Sequence, residues 1–134
     1  MNSLSGEVID VRSADELSLV KVKCGRVIFT SLVIMDPSNR SFLSAGKKVN
    51  VHFKETEVII AKPGPLEISV QNRIPCKIKK MEEGKILSQL SLTFEGMEII
   101  SIITTTAVKQ LSLSTDTEVV ALIKTNEVTI SYRD

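Results

Sequence analysis

Val119-Val120-Ala121-Leu122-Ile123-Lys124-Thr125-Asn126-Glu127-Val128-Thr129-Ile130 has a counterpart 70 residues upstream in the same chain, where Val49, Lys54, Val58 and Ile60 stand at the positions of Val119, Lys124, Val128 and Ile130. The same offset takes Asn72 to Asn2, Leu87-Ser88 to Leu17-Ser18, Ser101 to Ser31 and Leu113-Ser114 to Leu43-Ser44. Between these identities the apolar positions match in kind, as Val20 with Leu90, Val22 with Leu92 and Leu32 with Ile102. Identities at one spacing, set among matched hydrophobic positions, mark a tandem repeat. The quoted stretch also fixes the class of structure. Its β-branched residues form two short apolar runs separated by Lys124 to Glu127, which reads as a pair of strands in each copy.

The chain has 134 residues, and the repeat divides it into units of roughly 65. A unit of that size buries only about 60% of the surface its unfolded chain exposes. The copies are therefore expected to pack on each other or on further chains. Seventeen basic side chains against sixteen acidic ones leave a formal net charge of +1, which gives no support to a broad electrostatic grip on nucleic acid or on an anionic membrane. A compact site for a small anion stays open, because it needs only local donors. No apolar run reaches the length of a membrane span, about 18 residues, and no basic-then-apolar leader opens the chain, so a soluble, cytoplasmic protein is expected. Cys24 and Cys76 are not spaced as a metal pair, and the offset does not superimpose them. They read as two unpaired small hydrophobes in preference to a disulfide.

Along the first copy, residues 4–12 alternate with one irregularity, as a strand carrying a bulge would. Ser13-Ala14-Asp15 is a turn, Leu17 to Val22 a second strand, Cys24-Gly25-Arg26 a hairpin, and Val27 to Met35 a third strand. Asp36-Pro37-Ser38-Asn39 has the chemistry of a helix start, which predicts one or two helical turns over Ser38 to Leu43. Val49 to Phe53 and Val58 to Ile60 are the fourth and fifth strands. Lys62-Pro63-Gly64-Pro65 cannot continue a sheet ladder and reads as the linker. The expected division is thus 1–62, linker 63–66, and 67–134. The second copy repeats the plan, with strands near 67–81, 86–94, 97–104, 117–124 and 127–133 and turns at Met81 to Lys85 and Phe94 to Met97. Thr104 followed by Thr105-Thr106-Ala107-Val108-Lys109-Gln110-Leu111 predicts a capped short helix. Five strands with one short helix between the third and fourth is the element order of an OB-like Greek-key barrel. The fold class is all-β, two such barrels in tandem.

The residues of the second copy resemble a known family. Ser69 to Ile74 matches a Ser-x-x-Asn opening strand, Glu82 to Gly84 an acidic turn, Ile103 to Leu113 a helix segment, and Val119 to Ile130 a closing strand pair. Together and in this order they are similar to a molybdate-binding Mop or TOBE module, and through the repeat the whole chain resembles a tandem-Mop, molbindin-like protein. The resemblance implies binding of molybdate or tungstate as the bound ligand, storage without catalysis, and a homo-oligomer, trimer or hexamer-like, with the oxyanion at interfaces. Ser69, Thr104 and Lys124 match positions that supply donors in that family, with Gln71, Asn72 and Thr125 beside them and Lys54 and Thr56 as the first-copy set. The chemistry is consistent: a tetrahedral dianion that loses its hydration shell needs several fixed donors, each charge-assisted bond contributing about 1.5–3 kcal/mol.

This chain also departs from the pattern. The family's opening is commonly Ser-Ala-Arg-Asn, whereas here Gln71 replaces the arginine and brings neither charge nor a forked donor pair. Ala107 stands where the family often has a serine. Met1 falls on position 71, so a first-copy site is expected to lack counterparts of residues 67–70 and to take its serine from a neighbouring copy. These substitutions leave a second reading open, a regulatory or oligomerisation module related to those of molybdate transporters and repressors, with weakened anion binding. An OB-type nucleic-acid binder is disfavoured, since the chain has one Tyr, four Phe and no Trp to form stacking platforms. His52 has no Cys or His partners for a metal, and no Ser-His-Asp set exists for hydrolysis.

Overall fold

The computed structural model describes residues 1–34 and 43–133. The helix expected over Ser38 to Leu43 falls on residues outside that description, apart from Leu43, which is buried. In the first copy the strands are β1 (Asn2–Ala14), β2 (Leu17–Cys24), β3 (Val27–Ile34), β4 (Lys48–Phe53) and β5 (Ile59–Ala61). In the second they are β6 (Asn72–Glu83), β7 (Leu87–Phe94), β8 (Met97–Thr104), β9 (Glu118–Ile123) and β10 (Thr129–Tyr132), with the helix α1 (Thr105–Gln110) between β8 and β9. Each fourth strand is followed by a single 3-10 turn, Glu55–Glu57 in one copy and Thr125–Glu127 in the other.

Period-two alternation explains the strands. In β1 the residues Asn2, Leu4, Gly6 and Val8 point inward, and in β6 their equivalents Asn72, Ile74, Cys76 and Ile78 do the same. The irregularity expected in the opening strand is a bulge at Ile9, where the register with β2 shifts between Val8 and Asp10. Its repeat lies at Lys79, between Ile78 and Lys80. Both bulges leave an inward residue free to bond the chain ahead of the fourth strand: Val8 N–H donates to the Lys47 carbonyl (2.9 Å) and Ile78 N–H to that of Thr117 (3.0 Å). Several boundaries differ from the sequence expectation, among them Ser13 and Ala14, which belong to β1. Strand β6 runs on through Glu83, which pairs with Ser88, so the acidic residues belong to the strand and the turn starts at Gly84. Residues 67–71 are not in the strand at all.

Both sheets have five strands, in the orders β10-β4-β1-β2-β3 and β5-β9-β6-β7-β8. The fifth strand of each copy is therefore exchanged. Ile59 pairs with Leu122 and Ala61 with Val120, while Ile130 pairs with Val51 and Tyr132 with Val49. The sequence copies and the barrels do not coincide, because each barrel takes its fifth strand from the other copy. The two interiors join in one apolar cluster that includes Val20, Phe29 and Phe53 of the first copy and Leu90, Ile99 and Ile123 of the second, with the Phe29 and Phe53 rings stacked at 5.7 Å.

Polar residues of the repeat pin this arrangement. Strand β3 is an outer strand, and in an antiparallel strand the N–H and C=O of one residue face the same way. At Thr30 both meet the amide of Asn72: Thr30 N–H donates to Asn72 Oδ1 (2.7 Å), and Asn72 Nδ2 donates to the Thr30 carbonyl (2.9 Å). The repeat of this staple joins Asn2 to Ile100 in the outer strand β8, with both bonds at 2.8 Å. Ser31 Oγ donates to the Val128 carbonyl and Ser101 Oγ to that of Val58, at 2.5 and 2.8 Å. Two polar identities of the 70-residue period, Asn2/Asn72 and Ser31/Ser101, thus tie one copy to the other.

Candidate functional site

The last pair of the β6–β9 ladder is Asn72 with Ile123. Gln71 and Lys124, the next residue on each strand, leave the ladder side by side, followed on one side by Val70 and Ser69 and on the other by Thr125. Ser69, Gln71 and Lys124 are exposed and Thr125 is half-buried. Asn72 differs from them. It is 1% exposed, and its amide is committed to Thr30.

Ser69 lies in a bend ahead of β6, where the sequence expectation had a strand. The cause is Arg73, which the sequence reading passed over. Its Nε donates to the Val70 carbonyl (2.9 Å), Nη1 to that of Leu66 (2.7 Å) and Nη2 to that of Ile68 (2.6 Å). One guanidinium thus curls residues 66–70 around itself and fixes the segment that carries Ser69. Among the described residues no carboxylate pairs with Arg73, so its charge is left facing this loop.

Among the described residues the ammonium groups of Lys124 and Lys54 have no hydrogen-bond or ion-pair partner, and neither do the hydroxyls of Ser69, Thr125 and Thr56. Thr104 lies elsewhere. It caps α1 by accepting from the Ala107 N–H (3.1 Å), which leaves its own proton free to donate. It shares a groove of about 430 Å³ with Thr56, Ala107 and the apolar Ile59, Leu87, Ile102 and Leu111. Strand exchange explains the company, since β5 closes the second barrel and carries the Glu55–Glu57 turn against β8. The β6–β9 ladder thus sets Gln71 beside Lys124, and strand exchange brings Thr104 to the first-copy Thr56. At the repeat-equivalent groove Ile34 and Asn126 replace Thr104 and Thr56.

The first-copy mouth carries a different charge pattern. Glu55 occupies the position of Thr125. Its carboxylate accepts from the Met1 ammonium at 2.9 Å, and this bond, helped by the Glu55 backbone N–H, holds its carboxyl below the usual range against a small desolvation. The cysteines are both free and buried. Burial pushes the Cys24 thiol up to about 11, opposed by the charge of Arg133, and the Cys76 thiol up to about 12, opposed by a backbone hydrogen bond at Ala121. No cluster of metal-ligating side chains exists among the described residues. No helix among them is long and apolar enough to cross a membrane.

Comparison with known proteins gives consistent results. The TOBE domain family model matches residues 68–130. A solved structure of the cytoplasmic molybdate-binding protein ModG, in a form with molybdate bound, aligns over 98% of this chain and 96% of its own with a TM-score of 0.92 and 26% identity. A molybdate-binding protein from Sporomusa ovata aligns over 44% of this chain and 88% of its own, with 27% identity and a TM-score of 0.43. No curated protein matches the chain in sequence. Two OB-like barrels built from a 70-residue repeat, with near-complete superposition on the molybdate-binding protein ModG, give the chain the same two-barrel fold, and residues 68–130 of its second copy match a TOBE domain.

Proposed function

We propose that this chain binds molybdate or tungstate as the tetrahedral dianion and holds it in a cytoplasmic store, without catalysis. The reading is supported by uncommitted donors on the segments that flank the end of the β6–β9 ladder: the Lys124 ammonium, the Ser69 and Thr125 hydroxyls and the Gln71 amide. Carboxylates cannot donate to an oxyanion, whereas each of these groups can. The ModG likeness supports the choice of anion. Asn72 serves as the staple that positions Gln71 and is not assigned as a ligand.

These donors are open to solvent on a single chain, and a dianion is bound tightly only where water is excluded from the charge-assisted bonds. A neighbouring copy supplies the missing wall, so the protein works as a homo-oligomer of the trimer or hexamer-like kind. Gln71 and Ala107 favour an alternative in which the fold is kept for regulation and the anion is held weakly. Isothermal calorimetry with molybdate, tungstate and sulfate decides. Removing one charge-assisted donor costs about 1.5–3 kcal/mol, so Lys124→Ala is expected to weaken binding by about ten- to a hundredfold. Absence of binding of either metal oxyanion at any oligomeric state refutes the proposal, and binding only at millimolar concentration selects the regulatory alternative.

A further inference from the structure

The two mouths of the repeat share a fourth strand and its 3-10 turn; the first lacks counterparts of Ser69 and the Gln71 amide, and the turn itself differs at one chemically decisive position. After the fourth strand, the second copy reads Lys124-Thr125-Asn126-Glu127 and the first reads Lys54-Glu55-Thr56-Glu57. The turns superimpose in plan: each is a 3-10 turn with an extended residue, Lys54 or Lys124, ahead of it. In the second copy the residue after the lysine offers a hydroxyl. In the first it is a carboxylate, with 32% of its side chain accessible, bonded to an ammonium at 2.9 Å. A negatively charged group thus already holds a cationic donor beside Lys54.

We propose that Glu55 is a built-in anion surrogate that closes the first-copy mouth to oxyanions and confines binding to the second-copy mouth of Ser69, Gln71, Lys124 and Thr125. This rests on the oxyanion reading given above. A carboxylate has no proton to donate at neutral pH, and a dianion arriving beside it meets like charge. The remaining first-copy groups are otherwise suitable. Lys54 has a free ammonium and Thr56 a free hydroxyl among the described residues, and Thr104 shares the groove of Thr56 with a proton to donate. Lys54 and Thr56 accordingly become ligands only when Glu55 is replaced. The tandem protein then carries one loaded and one closed mouth per chain, a division of labour that a protein of identical copies could not have.

The test is a molybdate titration of the full-length protein by calorimetry or equilibrium dialysis, with thermal melting and sedimentation on every variant. In the wild type, Lys54→Ala is expected to leave the amount of molybdate bound per chain unchanged, while Lys124→Ala removes it at the concentrations used. Glu55→Thr, which copies the second mouth, is expected to raise the molybdate bound per chain about twofold, and Lys54→Ala in that background to return it to the wild-type value. Glu55→Gln keeps the size and removes the charge, so it gives the same direction of change should the threonine variant fold poorly. The proposal is overturned if Lys54→Ala lowers the wild-type stoichiometry, or if both folded Glu55 variants bind no more than the wild type. Failure of the wild type to bind any molybdate refutes the functional reading and this inference with it, and so is distinct from a binding wild type whose Glu55 variants show no gain.

Discussion

Replacing Asn72 by alanine tests the way the two copies are joined. The amide makes two hydrogen bonds to Thr30, at 2.7 and 2.9 Å, from a position that is 1% exposed. Each bond contributes about 1 kcal/mol net, and the larger effect is the stranding of a buried N–H and C=O, which costs about 1–3 kcal/mol per group where water cannot reach. Alanine leaves a small space that admits partial hydration, so the expected loss is about 2–4 kcal/mol, in the upper range for a single substitution. Urea unfolding followed by circular dichroism at fixed protein concentration measures it as a lower midpoint at unchanged slope. Asn72→Asp sharpens the test. Its carboxylate can accept from the Thr30 N–H but sets a lone pair against the Thr30 carbonyl, so it is expected to destabilise at least as much at neutral pH and to recover as acid protonates it. A stability within about 0.5 kcal/mol of the wild type, the ordinary scatter of surface substitutions, would refute the staple. So would an Asn72→Ala protein of normal stability that had lost its anion, because the amide would then be a ligand.

Further expectations follow from single contacts. A Cβ on Gly6 would lie 2.6 Å from Cys24 Sγ and 2.7 Å from the Lys23 carbonyl oxygen, so Gly6→Ala is expected to destabilise by about 1–3 kcal/mol in the same unfolding assay. The raised cysteine pKa values favour the protonated folded state, so their contribution is complete below pH 9, the unfolded value, and is lost as pH rises towards about 11 and 12. Stability should fall across that alkaline window, and a Cys24→Ala, Cys76→Ala double variant should flatten the fall. Arg73→Ala removes three bonds to the Leu66, Ile68 and Val70 carbonyls, and is expected to raise hydrogen exchange through 66–70 and weaken molybdate binding about tenfold, about 1.4 kcal/mol, with little change in melting temperature.

Much of the fold was legible because a strand writes its buried face into the sequence. Alternation over β1 and β6 located the core, the irregularity in the first strand located its bulge, and the Thr104 cap located α1. The candidate site was legible only as residue types. The family resemblance sets Ser69, Thr104 and Lys124 in one donor set; strand exchange adds the first-copy Thr56 to the groove of Thr104, and the ladder sets Gln71 beside Lys124. Arg73 was passed over because its role lies in backbone carbonyls of a bend, which leave no mark on side-chain pattern.

The amino-acid sequence by itself determined the 70-residue period, the all-β barrels and the inward face of every long strand, since these follow from local alternation and from spacing along the chain. The tertiary structure alone decided which copy each fifth strand completes. Val58 to Ile60 and Val128 to Ile130 carry the same apolar pattern, so either satisfies the edge of β4 or β9 equally well as sequence. What selects the exchanged pairing is three-dimensional: the 3-10 turn carries the chain onward from the fourth strand, and Asn2, Asn72, Ser31 and Ser101 find their backbone partners only when the copies are interlocked.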